Sequence, residues 1–200
     1  MVTAMNDIIL EQEEYKGYTI NIFPDPFPMD PRDDSNLGHM VCLHKHYQLG
    51  DPHVFYDADE IYKFLEEENC IYLNLYLYDH GGVTMSAAPF SCPWDSGQVG
   101  VIYVTREDAL NEYGYKKLTK NLKNHVENVL HAEVEEYDKY LKGEFCEFQI
   151  LDQEGEIIDR GRDDMGYALE EAKSIVDYTV EQEQRKHDEL EEERKNRDFN

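Results

Sequence analysis

No apolar run in this sequence approaches the roughly 20 residues needed to span a bilayer. Residues 1–14 lack the basic start and apolar stretch of a secretory signal. The expected location is therefore the cytoplasm. No Cys-x-x-Cys pair is present, and the four cysteines, Cys42, Cys70, Cys92 and Cys146, lie far apart. Buried thiols are expected rather than disulfides or a zinc knuckle. Gly-x-Ser-x-Gly, Walker A and His-Glu-x-x-His patterns are missing, so nothing points to an α/β-hydrolase, a P-loop nucleotide hydrolase or a zincin. No established catalytic signature is found, and the chain reads as a binding protein rather than an enzyme.

Positive charge is also scarce. Lys and Arg number 19 against 44 Asp and Glu, a net charge of −25. A field of that sign repels nucleic-acid phosphates and anionic membrane surfaces and attracts basic clefts. Direct nucleic-acid binding and membrane binding are thus disfavoured.

What the sequence does have is enough apolar and aromatic material for a core, 40% and 12% of its 200 residues. Alternating or apolar β-rich segments predict strands over 18–23, 38–47, 71–78 and 99–104, with a hairpin over 144–151 and 156–160. Four prolines between residues 24 and 31 predict an extended loop. Helices are expected over 58–68, 106–113, 118–141 and 167–180. The third is the clearest, with Leu118, Leu122, Val126, Val129, Leu130, Val134, Tyr137 and Leu141 forming an apolar stripe. Five or six strands and four helices without regular alternation predict an α+β fold with a largely antiparallel sheet. The expected organisation is a flexible leader at 1–14, one α+β domain over 15–180, and a charged helical tail at 181–200 through which the chain could form a homo-oligomer.

Three groups of residues could carry function. His44 and His46 share a face if they lie on a strand, and with Asp51, Asp79 and His80 they could hold a divalent metal and activate water. That defines the alternative reading, a small metal-dependent hydrolase or nuclease. The loop around the single tryptophan, with Trp94, Asp95 and Gln98, is a candidate binding loop, or else Trp94 anchors the loop on the sheet. Finally, carboxylates at Glu133, Glu135, Glu136 and Asp138 on a helix, and at Asp152, Glu154, Glu156, Asp163 and Asp164 around a hairpin, could mimic a phosphate backbone. A helix rises about 1.5 Å per residue and DNA carries a charge per roughly 1.7 Å of axis, so the spacing is feasible.

Several blocks carry a resemblance: Asn36-Leu37-Gly38 with Met40-Val41-Cys42, Tyr47 with Leu49-Gly50-Asp51, the run from Leu75 to Gly81, the run from Phe90 to Gly100, and Glu133-Val134-Glu135 with Tyr137-Asp138 and Tyr140-Leu141. Over residues 15 to 180 the chain resembles a widespread family of small proteins of phages, prophages and plasmids. It departs from the pattern at His39, where a small polar residue is expected, and in its charged tail. The resemblance carries no catalytic assignment and implies a mobile-element origin. Together with the charge, it implies a counter-defence protein that binds the nucleic-acid cleft of a host defence protein, such as a CRISPR nuclease or a restriction enzyme.

Overall fold

Alternation of apolar and polar residues builds most of the strands, and stripes at threes and fours build most of the helices. The structure is a computed structural model that describes residues 8–198; the first half of the expected leader and the last two residues of the tail lie outside the described residues. In chain order the elements are β1 (Glu11–Tyr15), β2 (Tyr18–Pro24), a 3₁₀ turn (Pro31–Asp33), β3 (His39–Cys42), α1 (Ala58–Glu67), β4 (Ile71–Asp79), β5 (Val83–Ser86), β6 (Ser96–Val104), α2 (Arg106–Glu112), α3 (Lys120–Lys142), β7 (Phe145–Leu151), β8 (Ile157–Asp164) and α4 (Ala168–Asp198). The fold is α+β, with four helices and a C-terminal charged helix, as expected. Among the described residues the strands number eight rather than five or six, and they form two antiparallel sheets of four, ordered β1-β2-β7-β8 and β3-β6-β4-β5. Among the described residues no helix is long and apolar enough to cross a membrane.

The chain divides into two compact units. One holds the residues up to Pro28 and those from Glu144 on, and the other spans Met29–Gly143. In the first unit, Tyr18, Ile20 and Ile22 of β2 and Cys146, Phe148 and Ile150 of β7 point to one face. Ala168, Ala172 and Val176 of α4, spaced by fours, close over that face. Small side chains there let the helix approach the sheet closely. Strand β1 turns into β2 through Lys16 and Gly17, both at positive φ, the geometry of a two-residue hairpin. Its ion pairs to α4, Lys173–Glu13 at 3.1 Å and Lys16–Asp177 at 2.7 Å, hold an otherwise polar strand in place.

In the second unit the sheet is covered on both faces. Alternate residues Leu75 and Leu77 of β4, Ile102 and Val104 of β6, and Met40 and Cys42 of β3 meet Leu122, Val126, Leu130, Val134 and Tyr137 of α3. The opposite residues Val41, Val101 and Tyr103 meet Ile61 and Leu65 of α1. Full burial of each such side chain contributes about 1.5–3 kcal/mol. Thr119 caps α3 by accepting from the Leu122 amide, and Gly143 ends it in the left-handed conformation, φ 68°.

Candidate functional site at the loop end of the second sheet

Strand register decides which loops meet. Cys42 at the end of β3 lies opposite Gly100, Tyr78 near the end of β4 lies opposite Ser96, and Asp79 lies opposite Val83. The loop after β3, the β4–β5 turn and the β5–β6 connection therefore emerge at one end of the sheet. These loops contain most of the residues singled out from the sequence.

The expected strand over 38–47 stops at Cys42, so His44 and His46 are not paired on a pleated face. Instead the His44 Nδ1 accepts from the His46 and Tyr47 amides at 3.3 and 3.2 Å, which folds the chain into a tight bend. The same ring stacks on Tyr47, with centroids 5.0 Å apart. The Tyr47 hydroxyl donates to Asp79 Oδ2 at 2.9 Å. The Asp79 amide donates to the Asp95 carbonyl at 2.9 Å. Asp95 Oδ2 in turn lies 3.3 Å from His80 Nδ1 and accepts from the Cys92 thiol at 3.7 Å. The Ser96 hydroxyl donates to the Cys92 carbonyl. A continuous polar chain thus runs from His44 through Tyr47, Asp79 and Asp95 to His80, and it holds the tryptophan loop from both sides. Trp94 itself is 91% exposed, so it does not anchor the loop on the sheet. Gln98 belongs to β6 rather than to the loop, and its amide donates to the Tyr62 hydroxyl at 2.5 Å.

Asp51 does not join the histidines. It is engaged with Arg32, whose Nε and Nη2 donate to its two carboxylate oxygens at 2.8 Å each. Arg32 Nη1 reaches Glu133 Oε2 at 3.1 Å and Nη2 donates to the Gly38 carbonyl at 2.5 Å. The guanidinium is only 4% exposed. Burial opposes its charge, but the hydrogen bonds and charge of Asp51, then of Glu133, outweigh that and raise its pKa above the ordinary arginine value. Glu133 Oε1 also accepts from the Leu37 amide at 2.8 Å, and Asp51 Oδ2 from the Met40 amide at 2.8 Å. Among the described residues no group of three or more His, Cys, Asp or Glu is arranged to hold a metal ion. The expected set His44, His46, Asp51, Asp79 and His80 is therefore not brought together as ligands, because the bend uses one imidazole and the arginine pair uses Asp51.

The expected acidic residues divide in the same way. Glu133 faces inward on Arg32, and Asp138 accepts from the Met85 amide at 2.7 Å, tying β5 to α3. Both hold the fold rather than face solvent. Glu135 and Glu136 are exposed and make no ion pair among the described residues. At the hairpin, Asp152 accepts from the Glu154 and Glu156 amides at 3.0 and 2.8 Å, while the side chains of Glu154 and Glu156 are exposed. Asp163 and Asp164 accept from nearby amides, those of Asp164 and Gly166.

Sequence reasoning missed Arg32 and Tyr47. A signal for the first was present: Arg32 is the sole Lys or Arg between Lys16 and Lys45, in a segment rich in aspartate.

The thiols separate by burial. Burial pushes Cys42 up to about 12, and Cys70 and Cys146 up to about 11, each with a smaller push from nearby carboxylates. At pH 8 the Cys42 thiolate fraction is on the order of 10⁻⁴. A thiol reagent on the native protein is expected to modify Cys92 first and to leave Cys42 and Cys146 unmodified until unfolding. Mass spectrometry of timed aliquots reads the order, and early labelling of Cys42 would contradict the packing described here.

The molecule is thus an α+β protein of two antiparallel sheets, one of which carries a polar, aromatic loop end. Comparison with protein-family models, with curated proteins and with solved structures returns no match.

Proposed function

We propose that this chain is an acidic binding protein that engages a basic, nucleic-acid-binding surface of another protein, as a counter-defence factor of a phage or other mobile element would. The observation that supports this most is the net charge of −25 together with exposed carboxylates that form no ion pair among the described residues, Glu135 and Glu136 on α3 and Glu154 and Glu156 on the β7–β8 turn. Exposed carboxylates on a chain of this charge steer it towards Lys and Arg clusters and away from phosphates. The resemblance to phage and plasmid proteins points to a host defence nuclease as the target.

The test is competition. A guide-loaded CRISPR nuclease and a restriction endonuclease are each mixed with labelled DNA and increasing amounts of the protein. Suppressed DNA binding is expected for at least one of them, weakening as salt rises from 50 to 200 mM. Reversing Glu135, Glu136, Glu154 and Glu156 to lysine is expected to weaken inhibition by about tenfold or more, since it replaces attraction with repulsion. Unchanged inhibition with unchanged salt sensitivity would refute the mechanism.

A further inference from the structure

We propose that the loop end of the β3-β6-β4-β5 sheet is a docking surface for a basic protein, with Trp94 as its anchor; this rests on the reading of the chain as a binder of cationic proteins and assigns the place of contact. The first observation is where charge has been withdrawn. Residues 80–94 contain no Asp, Glu, Lys or Arg, in a chain of which 32% is charged. From residue 43 to 56 the charged residues are Lys45 and Asp51, and Asp51 is ion-paired with the buried Arg32. The second observation is what replaces the charge. Trp94 is 91%, Tyr56 88% and Val54 83% exposed. Tyr56 and Tyr47 line one open cavity of about 770 Å³ together with His44 and His53, and Tyr47 is hydrogen-bonded to the Asp79 that holds the tryptophan loop.

A neutral aromatic patch on a highly charged chain has the composition of a protein–protein hot spot, where Trp and Tyr dominate and the surrounding contacts exclude water. The loop is already ordered. The Asp79 amide, the Ser96 hydroxyl and the Asp95 carboxylate fix the backbone on both sides of the indole. Little loop entropy is then lost when the indole is buried. Charge selects the occupant. Nucleic acid, anionic lipid and a second copy of this chain all meet a field of −25. A partner with an apolar socket set in a basic surface meets attraction from the net charge of the chain and burial of the aromatic side chains.

Trp94 is the single tryptophan, so its emission reports the surface directly. The full chain is immobilised and exposed to bacterial lysate at low salt, the retained proteins are identified by mass, and each Lys/Arg-rich one is purified and titrated against the free chain. Binding is expected to move Trp94 emission to shorter wavelength and to shield it from acrylamide. Trp94→Ala is expected to weaken binding by at least about tenfold, with Trp94→Phe between the two. Both variants are expected to keep the wild-type circular dichroism and urea midpoint, because the indole is exposed. If Trp94→Ala binds as wild type while reversal of Glu135, Glu136, Glu154 and Glu156 abolishes binding, the docking surface is refuted and the acidic-binder reading stands. If no basic protein is retained, both fail. A doubled mass in sedimentation that Trp94→Ala returns to monomer would assign the surface to a second copy and overturn the occupant proposed here.

Discussion

Replacing Arg32 by alanine is expected to destabilise the Met29–Gly143 unit by about 3–5 kcal/mol, the usual cost of leaving a buried ion-pair partner uncompensated. Two carboxylates lose their counter-charge at once. Glu133 is 10% and Asp51 20% exposed at the side chain, so water replaces the guanidinium poorly. The same change frees the Gly38 carbonyl and loosens the segment that Glu133 holds through the Leu37 and Gly38 amides. Arg32→Lys keeps the charge but not the fork that meets both Asp51 oxygens, and is expected to cost about half as much. Changing pH does not imitate the substitution. The folded pKa is raised above an already strongly basic unfolded value, so the arginine stays charged throughout the neutral range and its titration removes the contribution only in strong base. Urea denaturation of the two variants checks this, and a loss under about 1 kcal/mol for Arg32→Ala would show that the cluster is not structural.

Gly100→Ala is expected to cost about 3 kcal/mol or more, and to strip β3 from its sheet before the remainder unfolds. A Cβ at this position would meet the Val41 carbonyl oxygen and would lie 2.9 Å from the Cys42 Cα, and both are backbone. No rotamer change relieves contact with a neighbouring strand. The register Cys42↔Gly100 would have to open, and with it the start of the loop that carries His44 and Tyr47. Gly97, in the same strand, is the control. A Cβ there meets nothing within 4 Å, and alanine is expected to be close to neutral. Hydrogen exchange of the Leu43 amide, which donates to the Val99 carbonyl of β6, separates the outcomes. Equal protection in the Gly100→Ala and Gly97→Ala variants would mean that the sheet yields more easily than its backbone spacing implies.

The legible part of the fold is the part that repeats. The stripe from Leu118 to Leu141 gives α3 within two residues at each end, because burying one face needs a period near 3.6. Strand β1 escaped because Glu11, Gln12, Glu13 and Glu14 look like solvated chain. Its place comes from a Lys16–Gly17 hairpin and two ion pairs, which act through tertiary structure. Strand β5, four residues long, sits inside a stretch rich in Gly, Ala and Ser that reads as irregular. At the site, the sequence marked His44, Asp79, His80, Trp94 and Asp95, and register does bring their loops to one end. It could not reveal that Trp94 points to water or that Asp51 and Glu133 share a cation. Those facts depend on pairings 19 and 101 residues apart in the chain.

Helix α4 outruns its apolar face. Burial ends near Tyr18's bond to Glu183, yet the helix continues to Asp198. Pairs one turn apart sustain it: Arg185 with Glu181, Gln184 with Asp188, and His187 and Lys195 with Glu191. Each such pair is worth only about 0.2–0.5 kcal/mol and weakens with salt. The last turns of this helix, about 20 Å of it, therefore rest on weak local pairs alone, and added electrolyte is expected to lower the helicity beyond Glu183 while leaving the packed turns from Ala168 to Val176 in place.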